Sequence, residues 1–560
     1  MNIDEARAVI SAAGQPYEMG TVECIRGSVP GFVNGPQTLR DLYEQNLSDD
    51  TFLVYEEERL SFTEAYAKAS RIAHVLRHRF DIQKGDRVAI SMRNYPEWIL
   101  AFKAITAIGA IAVGMNSLWL PDEMEYGLTD SGAKLIFADE ERLERLSQLS
   151  GNLALHVISV RATRQINRPV FQLETLLQDV PTASMPDVEI VANDPALILY
   201  TSGSTGRPKG VLSSQRNILT AIISWEFAAV AQAMTIQSQK DSPHSDAPHP
   251  PAALLGVPLF HVLGMHVVFL SSYRSKRKLV SMYKWDPAHA AELIESERIT
   301  TFSGPPAMTG DLAREALRTN SDLSSLLAVG GGGASRAPEQ VKQIDDSFSK
   351  AAPNTGWGMT ETNAIGTSIN GHEYLEHAMS AGRALPCIQL RVVNDSGAPV
   401  PAGERGELQI RGPQMFIGYW NRPEVDAEVF DGDWFRTGDV SYIDKDGFMY
   451  IVDRIKDLII RGGENIGCGT VEAALMSHPL IIEAIAYAVP DDRLGEEVAA
   501  TIYIESPIEE EDLRTYLSGH LSRFEIPRYI RMSPVPLPRT DSGKIFRRQI
   551  RDTAVSELQL

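Results

Sequence analysis

The stretch Tyr200-Thr-Ser-Gly-Ser-Thr-Gly-Arg-Pro-Lys-Gly210 follows directly on the apolar run Leu197-Ile198-Leu199. An apolar strand that ends in glycines and hydroxyls has to pass into a loop. Such a loop presents backbone N–H groups and side-chain hydroxyls to an anion. Thr201, Ser202, Gly203, Ser204, Thr205 and Gly206 supply it, and Lys209 adds a mobile positive charge. The chemistry is that of a bound phosphate. The nucleotide loop Gly-x-x-x-x-Gly-Lys-Ser/Thr is a different object. Counted from Gly203, Pro208 stands where its second glycine belongs and Gly210 where its metal-binding hydroxyl belongs. A P-loop kinase or GTPase therefore loses its main support.

Length and charge narrow the partners. At 560 residues the chain exceeds what one hydrophobic core organises, so two or more domains are expected. A formal net charge of −20 argues against a nucleic-acid partner, because phosphate backbones are held by a surplus of Lys and Arg. An anionic cofactor needs only local positive potential. Cys24, Cys387 and Cys468 are odd in number and widely separated, which indicates neither a disulfide framework nor a zinc site. The N-terminus lacks the basic start and apolar run of a signal peptide, and Ser556-Glu-Leu-Gln-Leu560 is not a peroxisomal tripeptide. Ala252 to Leu270 is nearly apolar and about as long as a membrane span, but Pro258, His261 and His266 interrupt it. A buried core segment is the better reading. The expectation is a cytoplasmic protein, monomer or homodimer, without stable membrane insertion.

Helical and strand patterns alternate along the first part of the chain. Ser61-Phe-Thr-Glu64 is a capping-box pattern that opens a helix reaching about Phe80. Val88 to Met92 reads as a short apolar strand, Pro96 to Ile108 as a helix, Lys134 to Asp139 as a strand, and a charged helix follows from Glu140. This alternation indicates α/β layers with mainly parallel sheets. Residues 237–250 are polar and Pro-rich and read as an exposed loop; His244 and His249 there lack the company of a metal site. Composition shifts again near Ile451-Val-Asp-Arg-Ile-Lys-Asp457. A helix over Val471 to His478 and strands over Ala484 to Val489 and Ala499 to Ile504 follow, which puts a domain boundary at Lys456.

Four further motifs carry chemistry. Gly356-Trp-Gly-Met-Thr-Glu-Thr362 leaves a flat ring open beside the backbone, which suits stacking on a purine. Within it Thr360 can hydrogen-bond a phosphate, and Glu361 is a hard oxygen ligand suited to Mg²⁺. Trp434-Phe-Arg-Thr-Gly-Asp439 and Val452-Asp-Arg-Ile-Lys-Asp457 offer a carboxylate for the paired hydroxyls of a ribose, with Arg454 close by. Pro538-Arg-Thr-Asp-Ser-Gly-Lys544 holds a lysine at a loop tip.

In order and approximate spacing these motifs resemble those of the adenylate-forming superfamily, which contains acyl-CoA synthetases, adenylation domains of peptide synthetases and beetle luciferases. The similarity runs from about residue 40 to residue 550. The resemblance implies an α/β fold. A large N-terminal domain, residues 1–455, has two α/β sheet layers plus a distorted β-barrel, and a small mobile α+β C-terminal domain, residues 456–560, carries Lys544. It also implies a reaction. A hydrophobic carboxylic acid attacks Mg²⁺-ATP to give acyl-AMP and pyrophosphate, and the acyl group then passes to coenzyme A with release of AMP.

By the same resemblance, Thr201, Ser202, Gly203, Ser204, Thr205, Gly206 and Lys209 grip the β- and γ-phosphates, with Thr205 and Glu361 as the metal ligands. Gly332, Gly333, Ala334, Gly356, Trp357, Gly358 and Met359 enclose adenine; Asp439, Ile451 and Arg454 surround the ribose. Lys544, Thr360 and Glu361 are the catalytic residues, Lys544 bridging the attacking carboxylate and the phosphate. Lys456 or Asp457 is a hinge, and Gly462 and Gly463 let the thiol arm of coenzyme A approach the backbone. Gly467-Cys-Gly-Thr470 departs from the aromatic, Pro and acidic residues usual there.

The acyl pocket of relatives lies behind segments that match Phe260-His-Val-Leu-Gly264 and Gly330-Gly-Gly-Gly-Ala334. His261, Val262, Gly264, Gly330 and Gly331 are its candidate lining, and His261 either guards the carboxylate or completes an apolar helix. Successive glycines either leave space for a bulky acid or permit a tight turn. The working expectation is an aromatic or medium-to-long aliphatic acid. A ligase that charges a separate carrier protein or an amine, a luciferase-like oxygenase and a non-catalytic nucleotide sensor are the rivals; the presence of Lys544 disfavours the last.

Overall fold

The computed structural model describes residues 1–149, 153–181, 183–201, 207–238, 249–333, 336–348, 350–455, 457–462, 464–504, 506–540 and 543–558. Ser202, Gly203, Ser204, Thr205, Gly206, His244, Ala334, Lys456 and Gly463 lie outside the described residues.

Two large sheets organise the N-terminal part. One has eight strands in the spatial order Gly418–Tyr419, Lys209–Ser214, Pro195–Thr201, Ile111–Gly114, Arg87–Ser91, Leu135–Ala138, His156–Ser159 and Val170–Gln172. From Pro195–Thr201 to Val170–Gln172 all neighbours are parallel; the two strands on the other edge run antiparallel. The other has nine strands around the parallel set Thr51–Tyr55, Lys278–Ser281, Ala252–Leu255, Thr301–Ser303, Ala328–Gly331 and Ala352–Thr355. Parallel strands need crossovers that cover both faces, and the sequence supplies helices for them. The first is Phe62–Arg79, where Ser61 Oγ accepts the Glu64 N–H at 3.1 Å and the Glu64 carboxylate accepts the Ser61 N–H at 2.8 Å. Pro96–Ala107 follows, with proline at its first turn where no N–H is needed. These helices and both sheets share one core, in which Trp98, Phe102, Phe52 and Phe62 are fully buried.

The part expected as a distorted β-barrel is a five-stranded antiparallel sheet built from Gln389–Val393, Gly406–Arg411, Phe430–Asp431, Trp434–Ile443 and Met449–Arg454. The last sheet is also five-stranded, from Ile459–Arg461 to Tyr529–Ser533, and packs on helices Cys468–Met476 and Glu510–Ser518 through its own core. Cys468 is buried at the start of the first of these helices, and burial pushes its thiol pKa well up, as befits an inert structural cysteine.

Two segments differ from their sequence expectation. Gln237 and Ser238 do not open a loop but finish the helix Gln215–Ser238. Its Gln215–Thr235 stretch is long and apolar enough to cross a membrane, yet Ile218, Ala221, Ile222, Phe227 and Ala231 are buried in the fold. The apolar segment 252–270 is a core segment, but not of one element. Strand Ala252–Leu255 is followed by a π-helix, Leu263–Leu270. Gly264 is required at its start, since a Cβ there would lie 2.3 Å from the Pro258 carbonyl oxygen. Such i→i+5 turns widen a helix and concentrate at functional sites.

One core residue is out of character. Lys103 is fully buried, and its side-chain nitrogen has no hydrogen-bond partner among the described residues. The nitrogen lies 4.0 Å from the ring centre of Tyr273 and 4.9 Å from that of Tyr43. Aromatic faces return about 2 kcal/mol to a desolvated cation, whereas burying the charge costs several kcal/mol. Burial wins, and the Lys103 pKa is lowered well below its ordinary value. Between that depressed value and 10.5 the unfolded chain holds a proton that the native chain does not, so stability rises with pH across this window. Lys103→Met keeps the stem and removes the buried amine. It should raise the unfolding free energy by about 1–3 kcal/mol and flatten the rise between pH 7 and 9, as urea titrations at both values would show. A less stable variant would contradict this account.

Candidate active site

In open α/β sheets ligands sit beyond the carboxyl ends of the strands, and the motif residues of this chain gather there. Strand Pro195–Thr201 delivers Thr201 opposite Lys209, the pair that opens and closes the phosphate-loop motif. The base of that loop is fixed from below. Asp130 accepts the Tyr200 hydroxyl at 2.9 Å and pairs with Arg422 at 2.6 Å, while the Tyr126 hydroxyl donates to the Pro208 carbonyl at 2.9 Å. The Lys209 ammonium lies 4.7 Å from the centre of the Tyr419 ring.

From the second sheet, Ala328–Gly331 and Ala352–Thr355 bring Gly330 to Gly333 beside Gly356. A Cβ on Gly330 would fall 2.1 Å from the Asn354 carbonyl oxygen, and one on Gly331, at φ +132°, would fall 2.4 Å from that of Gly304. Close strand approach therefore accounts for both glycines without any appeal to acyl space. A Cβ on Gly332 would press on the Gly356 oxygen at 3.1 Å.

Gly356, Trp357, Gly358 and Met359 lead into a short 3₁₀ turn, Thr360–Thr362. Thr360 is half-buried; Glu361 is buried, and desolvation raises its carboxyl pKa. Its side chain accepts the Tyr419 hydroxyl at 2.7 Å, and its carbonyl accepts the Phe416 N–H at 2.9 Å. Behind the turn, Asn363 adopts φ +54°, donates to the Gln414 carbonyl at 2.9 Å and bonds the His266 ring at 3.0 Å. That bond ties the π-helix to the turn.

Asp439 is also buried. Its two oxygens take the Trp357 indole N–H at 2.8 Å and the Arg454 guanidinium at 2.6 Å. Cross-strand pairing of Asp439 with Arg454 sets this geometry, since the two are direct partners between Trp434–Ile443 and Met449–Arg454. Ile451, on the second of these strands, is half-buried. Burial raises the Asp439 pKa, Arg454 and the indole pull it back, and Lys544 contributes in the same sense.

Lys544 belongs to the C-terminal part yet reaches this cleft. A Cβ built on Gly333 would stand 3.7 Å from its Cε. It keeps solvent-exposed surface in the open cleft, while the surrounding walls and Arg454 lower its pKa and Asp439 and Glu361 raise it. Its loop is braced by Arg539, which donates to the Gly543 carbonyl at 2.8 Å and pairs with Glu483. His261 faces the same charge. Burial first, and Lys544 second, push its pKa down to about 4, so the ring is neutral at pH 7, and its Nε2 has no partner among the described residues. Val262 is half-buried beside it and Gly264 is buried.

Gly462 sits apart, at the turn between Ile459–Arg461 and Glu464–Ile466, with φ +59° and its N–H on the Leu494 carbonyl at 2.9 Å. Tyr419, Asp130, Arg422, Asn363 and His266 are supporting residues that motif reading passes over. Only Tyr419 carries a signal, an aromatic hydroxyl directly after Gly418.

The sequence matches the AMP-binding enzyme family over residues 42–420 and the C-terminal domain of AMP-binding enzymes over residues 470–544. The chain belongs to the AMP-binding enzymes. Curated relatives include the feruloyl-CoA synthase of Amycolatopsis sp, 31% identical over 88% of this chain and 93% of that one. A long-chain-fatty-acid–CoA ligase of Escherichia coli is 28% identical over 92% of this chain and 95% of its own. Among solved structures, the anthranilate CoA ligase in complex with anthranoyl-AMP superposes with a TM-score of 0.83 at 24% identity, covering 93% of this chain and 98% of that one, which establishes the shared fold.

Should Trp357 flank the adenine of ATP, its indole N–H would matter separately from its ring. Trp357→Phe keeps an aromatic face but frees one oxygen of Asp439, and should weaken ATP binding about fivefold, the worth of one hydrogen bond. Trp357→Ala should lose roughly tenfold more, with the stacking surface. Calorimetric titration with ATP separates the two; equal affinities for both variants would refute the division.

Proposed function

We propose that this enzyme activates a hydrophobic carboxylic acid with ATP, through acyl-AMP, and transfers the acyl group to coenzyme A. The observation that carries the reading is the placement of Lys544. A cation from the C-terminal part stands at Gly333, in the electrostatic reach of Glu361, Asp439 and Arg454. That is where an attacking carboxylate and a phosphate would meet.

Glu361 fits a divalent cation. It is a buried carboxylate whose side-chain partner is a neutral phenol, and no cluster of three or more ligating side chains stands among the described residues. Mg²⁺ is characteristically held by one or two carboxylates plus substrate phosphates, so Glu361, with Thr205 from the phosphate loop, would hold it. When bound, Mg²⁺ would neutralise phosphate charge. Thr201 and Lys209 would hold the β- and γ-phosphates with the rest of that loop, and Asp439 would take the ribose hydroxyls with Arg454 beside it. The exposed faces of Trp357 and the Gly332–Gly333 backbone would flank adenine. Lys544 would draw the carboxylate onto the α-phosphorus and stabilise the charge that develops there, a task of positioning and charge neutralisation.

For the second step we place the hinge at Lys456 or Asp457, with residues 1–455 and 456–560 as the two bodies. Rotation there would withdraw Lys544 and bring up the Gly462–Gly463 turn for the thiol. His261, neutral and unpartnered, with Val262 and Gly264, would line the acyl side; relatives that act on ferulate and on long-chain acids leave an aromatic or a longer aliphatic acid as the substrate class.

Incubation with ATP, Mg²⁺ and pooled aliphatic and aromatic acids, with and without coenzyme A, tests the reading by mass spectrometry. AMP and a new acyl-CoA are the expected products. Acyl-AMP without thioester would move the acceptor to a carrier protein or an amine. Lys544→Ala should lower adenylation by about 10²-fold or more, yet leave thioester formation from supplied acyl-AMP within about threefold. Equal loss of both half-reactions would remove the assigned role.

A further inference from the structure

Ahead of residue 42, where the family match begins, stands a β-hairpin, Met19–Cys24 and Gly27–Phe32, with Arg26 in its turn. The hairpin is folded against the outer side of the segment 416–419 whose inner side holds Glu361. The Arg26 guanidinium lies over the Phe430 ring at 3.5 Å, donates to the Ile417 carbonyl at 2.9 Å, and stands 3.9 Å from the Asp426 carboxylate. Asp426 in turn accepts the Tyr419 N–H at 2.8 Å. Gly418 is the residue that lets it come so close, because a Cβ there would lie 2.2 Å from its Oδ2. On the inner side, the Phe416 N–H and the Tyr419 hydroxyl take the Glu361 carbonyl and carboxylate at 2.9 and 2.7 Å.

We infer that Arg26 is a positioning residue for Glu361, acting through Ile417, Asp426 and Tyr419. The proposal rests on the reading of Glu361 as the metal-holding carboxylate. Arg26 touches neither substrate nor metal. Its guanidinium fixes a backbone carbonyl and a carboxylate on either side of Gly418, the one residue of this segment without a side chain to anchor it. With Arg26 in place Tyr419 has one orientation, and so has the carboxylate oxygen it donates to. Without it, the segment keeps its pairing with Lys209–Ser214 through Val211↔Tyr419 and Leu212↔Gly418 and its bonds to Asp426 and Glu361, but loses the clamp between the Ile417 carbonyl and the Asp426 carboxylate on its outer side. A metal-holding carboxylate depends on the groups that orient it nearly as much as on its own identity. Removal of Arg26 should therefore be felt in metal-dependent nucleotide binding and spare nucleotide binding without metal.

The experiment is calorimetric titration of the full chain with ATP, in Mg²⁺ and in EDTA. Arg26→Met should weaken Mg²⁺-dependent ATP binding about fivefold, less than the roughly 10- to 100-fold typical when a direct partner of a ligand is lost. Affinity in EDTA should stay within about twofold of the parent, and Arg26→Lys should recover part of the loss. Tyr419→Phe should show a loss of the same kind, and the Arg26→Met/Tyr419→Phe double variant should be no weaker than Tyr419→Phe alone. Unchanged Mg²⁺-ATP affinity in Arg26→Met, an equal loss with and without metal, or additive losses in the double variant would each overturn the proposal. If Arg26→Met does not fold, Arg26→Lys alone and combined with Tyr419→Phe decide by the same comparison. A parent protein whose ATP affinity ignores Mg²⁺ would instead overturn the reading of Glu361 itself, and the inference with it.

Discussion

Removing a carboxylate from water is the costliest thing this cleft does, and its layout follows from how that cost is met. Glu361 and Asp439 are both buried, and burial raises both pKa values. They are compensated differently. Asp439 has a guanidinium and an indole N–H on its two oxygens, so its charge is balanced within the protein. Glu361 has a phenol on its carboxylate and only longer-range support from Arg454 and then Lys209, so hydrogen bonding is satisfied more fully than charge. An isolated buried anion is unfavourable by several kcal/mol. On the proposed function, the shortfall at Glu361 would be met by a cation that arrives with phosphates. On the proposed function these two surroundings would suit two roles, the ion-paired carboxylate a sugar and the other a metal.

What was legible in the sequence is what is written locally. Ser61 and Glu64 sit three residues apart and close a capping box by themselves; strands such as Arg87–Ser91 and helices such as Pro96–Ala107 follow from short patterns. The phosphate-loop motif, Glu361, Asp439 and Lys544 stood out because their residue types are unusual together. Their supports were not legible, since each lies far along the chain. Tyr419 is 58 residues from Glu361, Trp357 is 82 from Asp439, and His266 is 97 from Asn363. No periodicity connects such pairs; the sheet order does. The π-helix was hidden for another reason. Leu263–Leu270 has the apolar composition of any core helix, and neither its wider turn nor the close Gly264–Pro258 approach at its start is encoded in composition. Successive glycines at 330 and 331 left two explanations open, and the backbone oxygens of Asn354 and Gly304 supply the strand-packing one.

Lys544 shows why one cation of the site is carried on a separate part of the chain. Three positive side chains converge on the cleft of a protein with formal net charge −20: Lys209 from the first sheet, Arg454 from the antiparallel sheet, and Lys544 from the C-terminal part. Arg454 is held by Asp439, but Lys544 has no carboxylate within ion-pair distance among the described residues, and Arg454 works against its charge. Among the described residues its electrostatic support comes at longer range, from Asp439 and Glu361, and His261 beside it stays uncharged. A lysine placed so is weakly held when the cleft contains no anion and strongly held when it does. An anion of several charges entering beside Arg454 and Lys544 would relieve the repulsion between them and supply a close partner for Lys544. On the proposed function the same arrangement would make the lysine's seat depend on the phosphate charge, in addition to the hold that Arg539 gives its loop through the Gly543 carbonyl and Glu483. A lysine with a built-in carboxylate partner would stay whether or not the phosphate was there. On the proposed function, the lack of such a partner among the described residues would let one residue serve a single half of a two-step reaction.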